Sequence, residues 1–142
     1  MRFYNNDAEF WYLTNPSGTG DIVVTMSGPT SVVVGAYSFS GVDQGNPLPT
    51  TAILHNTAVG SPKISITTAY PNDWVIDSAS IWGGVTLGSP SCTPQWDLNI
   101  PNRITGASSW TVVPTPSTVT CGWTASTGDL WDDVTVEMKV SP

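Results

Sequence analysis

Apolar and polar residues alternate strictly near the C-terminal end of the chain. In 132–140, Val134, Val136, Met138 and Val140 fall on one side, and Asp133, Thr135, Glu137 and Lys139 on the other. Period-two alternation predicts a β-strand, because successive strand side chains point to opposite faces. The same period runs through 63–68, with Ile64 and Ile66 inward. It recurs in 74–82, where Trp74, Ile76, Ser78, Ser80 and Trp82 share one face and Val75, Asp77, Ala79 and Ile81 the other. Nearer the start it predicts strands over 9–14, over 21–27 with Ile22, Val24 and Met26 inward, and over 31–40. Shorter strands are predicted over 50–56, 95–98, 108–113 and 118–124, the stretch 85–107 being otherwise rich in Pro and Gly. Clusters such as Asn15-Pro16-Ser17-Gly18, Gly28-Pro29, Gly83-Gly84 and Pro114-Thr115-Pro116 supply the turns between them.

This pattern predicts an all-β fold without significant helix. The expected architecture is one domain over 1–142, an antiparallel two-sheet β-sandwich of jelly-roll-like or immunoglobulin-like type. Each sheet would turn one face to water, which explains the alternation. The run 32–47 is the most telling segment. It predicts a buried strand, with Val32, Val34 and Ala36 on one face and Val33, Tyr37 and Phe39 on the other, ending in a long turn with Asp43, Asn46 and Pro47.

Composition narrows the function classes. Charged residues make up only 11% of the 142 residues, while 16 Ser and 19 Thr keep the chain polar. The net charge is −7, with Arg2, Lys63, Arg103 and Lys139 as the only cations. Four scattered cations cannot form the basic patch that a phosphate backbone requires, so nucleic acid is not an expected partner. No apolar run reaches the length of a membrane-spanning helix. The first seven residues carry no apolar signal region. Cys92 and Cys121 suit a disulfide, worth about 3 kcal/mol in the loop-entropy model. Such a bridge implies an oxidising compartment: extracellular, cell-surface or virion.

Three segments carry a resemblance. They are Phe10-Trp11-Tyr12-Leu13-Thr14-Asn15-Pro16 followed by Asp21-Ile22-Val23-Val24-Thr25; Val33-Val34-Gly35-Ala36-Tyr37-Ser38-Phe39-Ser40-Gly41-Val42-Asp43-Gln44; and Asp73-Trp74-Val75-Ile76-Asp77. Together they resemble a poorly characterised jelly-roll-like β-sandwich domain of bacterial, archaeal and viral surface and secreted proteins. The resemblance implies a sandwich and no enzymatic role. Domains of this type have several strands ahead of the Trp-Tyr-Leu segment, whereas eight residues precede Glu9 here. The expectation is a reduced sandwich, or one completed by a strand from another chain.

Candidate chemistry is sparse. His55 is the only histidine, and no Gly-x-Ser-x-Gly elbow is present, so nucleophilic catalysis lacks its parts. Asp77 shares a strand face with Val75, Ala79 and Ile81. A buried carboxylate there either ties down a neighbouring loop or acts as an acid, and the structural role is the expected one. Asp129, Asp132 and Asp133 cluster before the last strand, a possible weak Ca2+ site or a solvated turn. Trp96, Trp110 and Trp131 sit in or beside predicted loops, available for a subunit interface or for stacking on a glycan. The leading expectation is a noncatalytic structural protein whose partners are further copies of itself, as homo-oligomer or filament neighbours. The alternative is a carbohydrate-binding module of a secreted protein.

Overall fold

Among the residues described by the computed structural model, 7–141, every strand lies after residue 49; the side chains of 54–58 are outside that description. The strands are β1 (Thr50–Gly60), β2 (Lys63–Thr67), β3 (Asp73–Trp82), β4 (Leu87–Gly88), β5 (Thr93–Ile100), β6 (Ile104–Val113), β7 (Thr118–Gly122), β8 (Thr124–Ala125) and β9 (Asp129–Met138). Five of them form one antiparallel sheet in the order β1-β9-β3-β6-β5. β2 pairs with β7, and β4 with β8, as two small antiparallel sheets. The fold is an all-β sandwich, and no described helix is long and apolar enough to cross a membrane.

The alternation in the sequence sets the two faces of the large sheet. Val75, Asp77, Ala79 and Ile81 of β3 share a face with Trp131, Asp133, Thr135 and Glu137 of β9, as the pairing of Ala79 with Asp133 and of Ile81 with Trp131 requires. This inner face packs on the small sheets. Ile66, Val75, Val113 and Cys121 form one core cluster; Ala79, Ile81, Leu87, Ala107, Trp123 and Trp131 form another. The opposite, outer face carries Ile76, Val136 and Met138, covered by Phe10, Phe39, Val42 and Leu48.

β9 departs from its expected half-wet character. Every residue from Trp131 to Met138 is buried, so the polar side Asp133, Thr135, Glu137 faces the sandwich interior. The reason is topological. β9 lies between β1 and β3 and has a layer on each side, so neither face reaches water. A period-two pattern tells which residues share a face but not whether that face is dry.

The Cys92–Cys121 disulfide forms, bridging the start of the β5 hairpin to β7 across a sequence separation of 29. Reducing it should lower stability by about 3 kcal/mol, read as a lower urea midpoint with and without reductant.

The largest correction concerns the first third of the chain. The strands predicted over 9–14, 21–27 and 31–40 do not form. Among the described residues, 7–41 belong to no ladder, and the first bridge is Val42 with Val140. The stretch 31–40 is extended but lies flat across the outer face. Val33 and Tyr37 are half-buried toward the sheet, and Phe39 packs on Trp74, whereas Val32 and Val34 are exposed. Strand-forming residues need a hydrogen-bonding neighbour, and no described segment takes that place. In the rest of the chain β1, β3, β5 and β6 are longer than predicted, and β2 and β7 slightly shorter. The doubtful stretch 85–107 holds β4, β5 and the start of β6.

Candidate functional site

Two groupings stand out: a row of buried carboxylates inside the sandwich, and the unpaired N-terminal layer on its outer face.

The inner face holds Asp73, Asp77, Asp133 and Glu137, each almost fully buried, while the described cations Lys63, Arg103 and Lys139 are not. Asp77 is a tie. Its Oδ1 accepts the Ser109 N–H at 2.6 Å and the Ser109 hydroxyl, and its Oδ2 accepts Trp123 Nε1–H at 3.1 Å. One carboxyl thus joins β3 to β6 and to Trp123, the residue linking β7 to β8. Burial raises its pKa, opposed by those same bonds. This is the structural role expected of Asp77, reached through an indole and a hydroxyl as well as a backbone amide.

Asp133 differs. Neither carboxyl oxygen has a hydrogen-bond partner among the described atoms. Burial first, then the negative charge of Asp77, push its pKa to about 9, with the Thr135 hydroxyl acting weakly the other way. Asp133 is therefore a neutral acid at pH 7. At the other end of the row, Glu137 Oε1 accepts the N–H groups of Ala69 and Tyr70 at 2.7 and 3.1 Å. Asp73 Oδ1 accepts the Val140 N–H at 2.9 Å. Burial raises the Asp73 pKa, and the neighbouring Glu137 adds to the rise. The carboxylates act as acceptors for chain segments that end or turn beside the sheet.

The acidic cluster separates. Asp132 and Asp133 are successive residues of β9 and point to opposite faces, with Asp132 opposite Ser80 and Asp133 opposite Ala79. Asp129 Oδ1 accepts the Leu130 N–H. The three carboxylates do not converge, and no group of three metal-ligating side chains occurs among the described residues. Asp43 caps its turn as expected, accepting the N–H groups of Gly45 and Asn46 and pairing with Lys139 Nζ at 2.7 Å. That pair holds the Asp43 carboxyl below the usual aspartate range. His55 lies opposite Asp132 in the β1–β9 register, and its side chain is outside the described residues.

The three tryptophans expected near loops are all in strands: Trp96 in β5, Trp110 in β6 and Trp131 in β9. Trp131 is buried in the core. Trp110 stacks on Trp74 with ring centres 4.3 Å apart. Trp96 lies under the extended stretch, so close that a Cβ at Gly35 would meet its Nε1 at 2.1 Å. The exposed tryptophan is Trp11, at 85%, with Tyr12 and Leu13 exposed beside it.

The outer layer is built on these contacts. Val33 sits on Gly106, where a Cβ would approach the valine to 2.9 Å. Gly35 covers Trp96, and Phe39 meets Trp74 edge-on at 5.4 Å. Burial raises the Tyr37 hydroxyl pKa, opposed by the Ser108 and Trp96 groups next to it. Every second residue of 33–39 thus faces the sheet, as in the strand of a second sheet, while its backbone joins no ladder among the described residues. Gly35→Ala should lift this strap from Trp96 at a cost of about 1–3 kcal/mol. The expected signature is a red shift of tryptophan emission with far-UV circular dichroism unchanged, because the strap belongs to no ladder.

The first third reads as strands because strand propensity does not depend on whether a partner exists. The signal that was available is the lack of charge: 22–42 contains no charged residue. A scan against protein-family models finds no match for the chain, and searches of the curated proteins and of the solved structures find none either.

Proposed function

We propose that this protein is a noncatalytic structural β-sandwich of an extracellular surface, filament or virion, which assembles by strand complementation. One observation carries the reading: the strand-forming stretches 9–14, 21–27 and 31–40 belong to no ladder among the described residues and leave Trp11, Leu13, Ile22, Val23, Val24, Met26, Val32 and Val34 exposed. Exposed apolar strands and open backbone edges are templates for pairing with another chain. The disulfide fits the oxidising compartment that such an assembly occupies. The buried carboxylates fit a structural role, since Asp77 and Glu137 are spent on hydrogen bonds to the chain itself.

The glycan-binding alternative gains less support, because Trp131 is buried and Trp96 and Trp110 are half-buried against the strap and Trp74. Analytical ultracentrifugation and negative-stain electron microscopy of the purified protein over a wide concentration range test the proposal. Oligomers or filaments are the expected result. A folded monomer at the highest concentration would overturn it.

A further inference from the structure

The open place in the outer layer has a definite position. The side of the strap toward β3 and β9 is occupied: Phe10 packs with Ile76, Val136 and Met138, and the Ser80 hydroxyl donates to the Asp7 carbonyl at 3.3 Å. Among the described residues the side over β5 is open. There Leu98, opposite Gly106 and on the same face as Trp96, is 55% exposed. A strand laid over β5 would pair with the backbone of 31–40 and cover Leu98.

The chain carries a segment of matching form that its own fold leaves unused. In 21–27, Ile22, Val24 and Met26 alternate, with Ile22 74% and Val24 52% exposed. None of the three belongs to a core cluster. Charge bears on the choice of occupant. Each copy carries −7, so two copies repel wherever acids meet, yet 22–42 is free of charge. Donor and strap thus carry no charge beyond Asp21 at the head of the donor, and Asp97, the acid of β5, alternates to the other side of that strand from Leu98, so two copies can approach through this contact with little repulsion. A basic partner would find only Asp21 there to recognise.

Resting on the assembly reading above, we infer that 21–27 of one copy docks over β5 of a second copy beside its 31–40 strap, with Ile22, Val24 and Met26 facing the sheet and Leu98 beneath them. The contact is a β-augmentation whose main-chain bonds supply affinity and whose alternate side chains set the register.

The test combines two experiments on the full chain. Sedimentation compares wild type with Val24→Asp and Leu98→Asp, and with Val59→Asp as an exposed control at the far end of β1. The first two should weaken association by roughly tenfold or more, since each puts a charge where an apolar side chain is buried, and the control should not. Unchanged tryptophan emission in the dilute variants establishes that each is folded. Secondly, a photoreactive benzoylphenylalanine in place of Val24 is activated in a mixture of 15N-labelled and unlabelled chains. Cross-links to 31–40 or Leu98 between unlike labels are expected. Cross-links within like-labelled chains alone would mean that 21–27 folds back as a hairpin on its own strap, and would overturn the inference. Association that survives both variants would overturn it as well, while leaving the assembly reading intact. A wild type monomeric at all concentrations would overturn both.

Discussion

Asp77→Ala should destabilise the protein by about 3 kcal/mol or more, a large effect for one side chain. The Asp77 carboxyl accepts from the Ser109 N–H, the Ser109 hydroxyl and Trp123 Nε1–H, all in the dry interior. Truncation leaves those donors with no acceptor, and each buried unsatisfied donor costs about 1–3 kcal/mol. Part of the loss is offset, because the charge next to Asp133 disappears as well. Asp77→Asn should fall between, since an amide oxygen serves Ser109 while the amide nitrogen opposes Trp123 with donor against donor. Urea unfolding followed by tryptophan emission would measure both. A midpoint for Asp77→Ala within error of wild type would show that the tie contributes little.

Stability should fall as pH rises from acid toward pH 9, and Asp133→Asn should abolish most of that slope. The sign follows from the proton count. In the folded protein Asp133 keeps its proton up to about pH 9, whereas an ordinary aspartate releases it near 3.8. Between those values the folded state binds one proton more than the unfolded state, so unfolding releases a proton and is favoured by raising the pH. The stabilisation is fully present below the unfolded value and is lost progressively up to the folded one, at about 1.4 kcal/mol per pH unit. Burial raises the Asp73 and Asp77 pKa values too, which adds slope of the same sign. An asparagine at 133 has no charge to gain in either state. Its advantage over wild type should be small near pH 4 and grow to several kcal/mol, on the order of the integrated slope, by pH 8. Thermal unfolding of both proteins from pH 4 to pH 9 checks this, and parallel curves would refute it.

These effects arise in a row of acids that the sequence presents as a wet strand face. The alternation of Asp133, Thr135 and Glu137 against Val134, Val136 and Met138 correctly groups the residues by face. It is silent on the layer beyond each face. β9 became dry on both sides because the chain places β1 and β3 beside it, the small sheets beneath it and Phe10, Phe39 and Val42 above it. The acidic cluster failed for the same reason in reverse. Three aspartates within five residues are close in sequence, yet the strand geometry that the alternation announces sends Asp132 and Asp133 to opposite faces.

The tryptophans repeat the lesson. Trp96 and Trp110 fall in the short strands predicted over 95–98 and 108–113, beside loops that could leave them exposed, but β5 and β6 are longer and the strap and Trp74 pack on their rings. Trp11, in a segment read as a strand, is the exposed one.

By itself the sequence determined the all-β class, most of β1, β2, β3, β6, β7 and β9, which of their residues share a face, the Cys92–Cys121 pairing and the Asp43 turn. All of these are local: period, turn chemistry and a single cysteine pair settle them without knowledge of distant neighbours. The tertiary structure decided which faces are dry, which acids lie beside each other, and which strand-like segments find a partner. Those are properties of strand order and layer stacking, set by contacts between residues far apart in the chain. The N-terminal third has the composition of strands, but a strand exists only where a second backbone meets its hydrogen bonds.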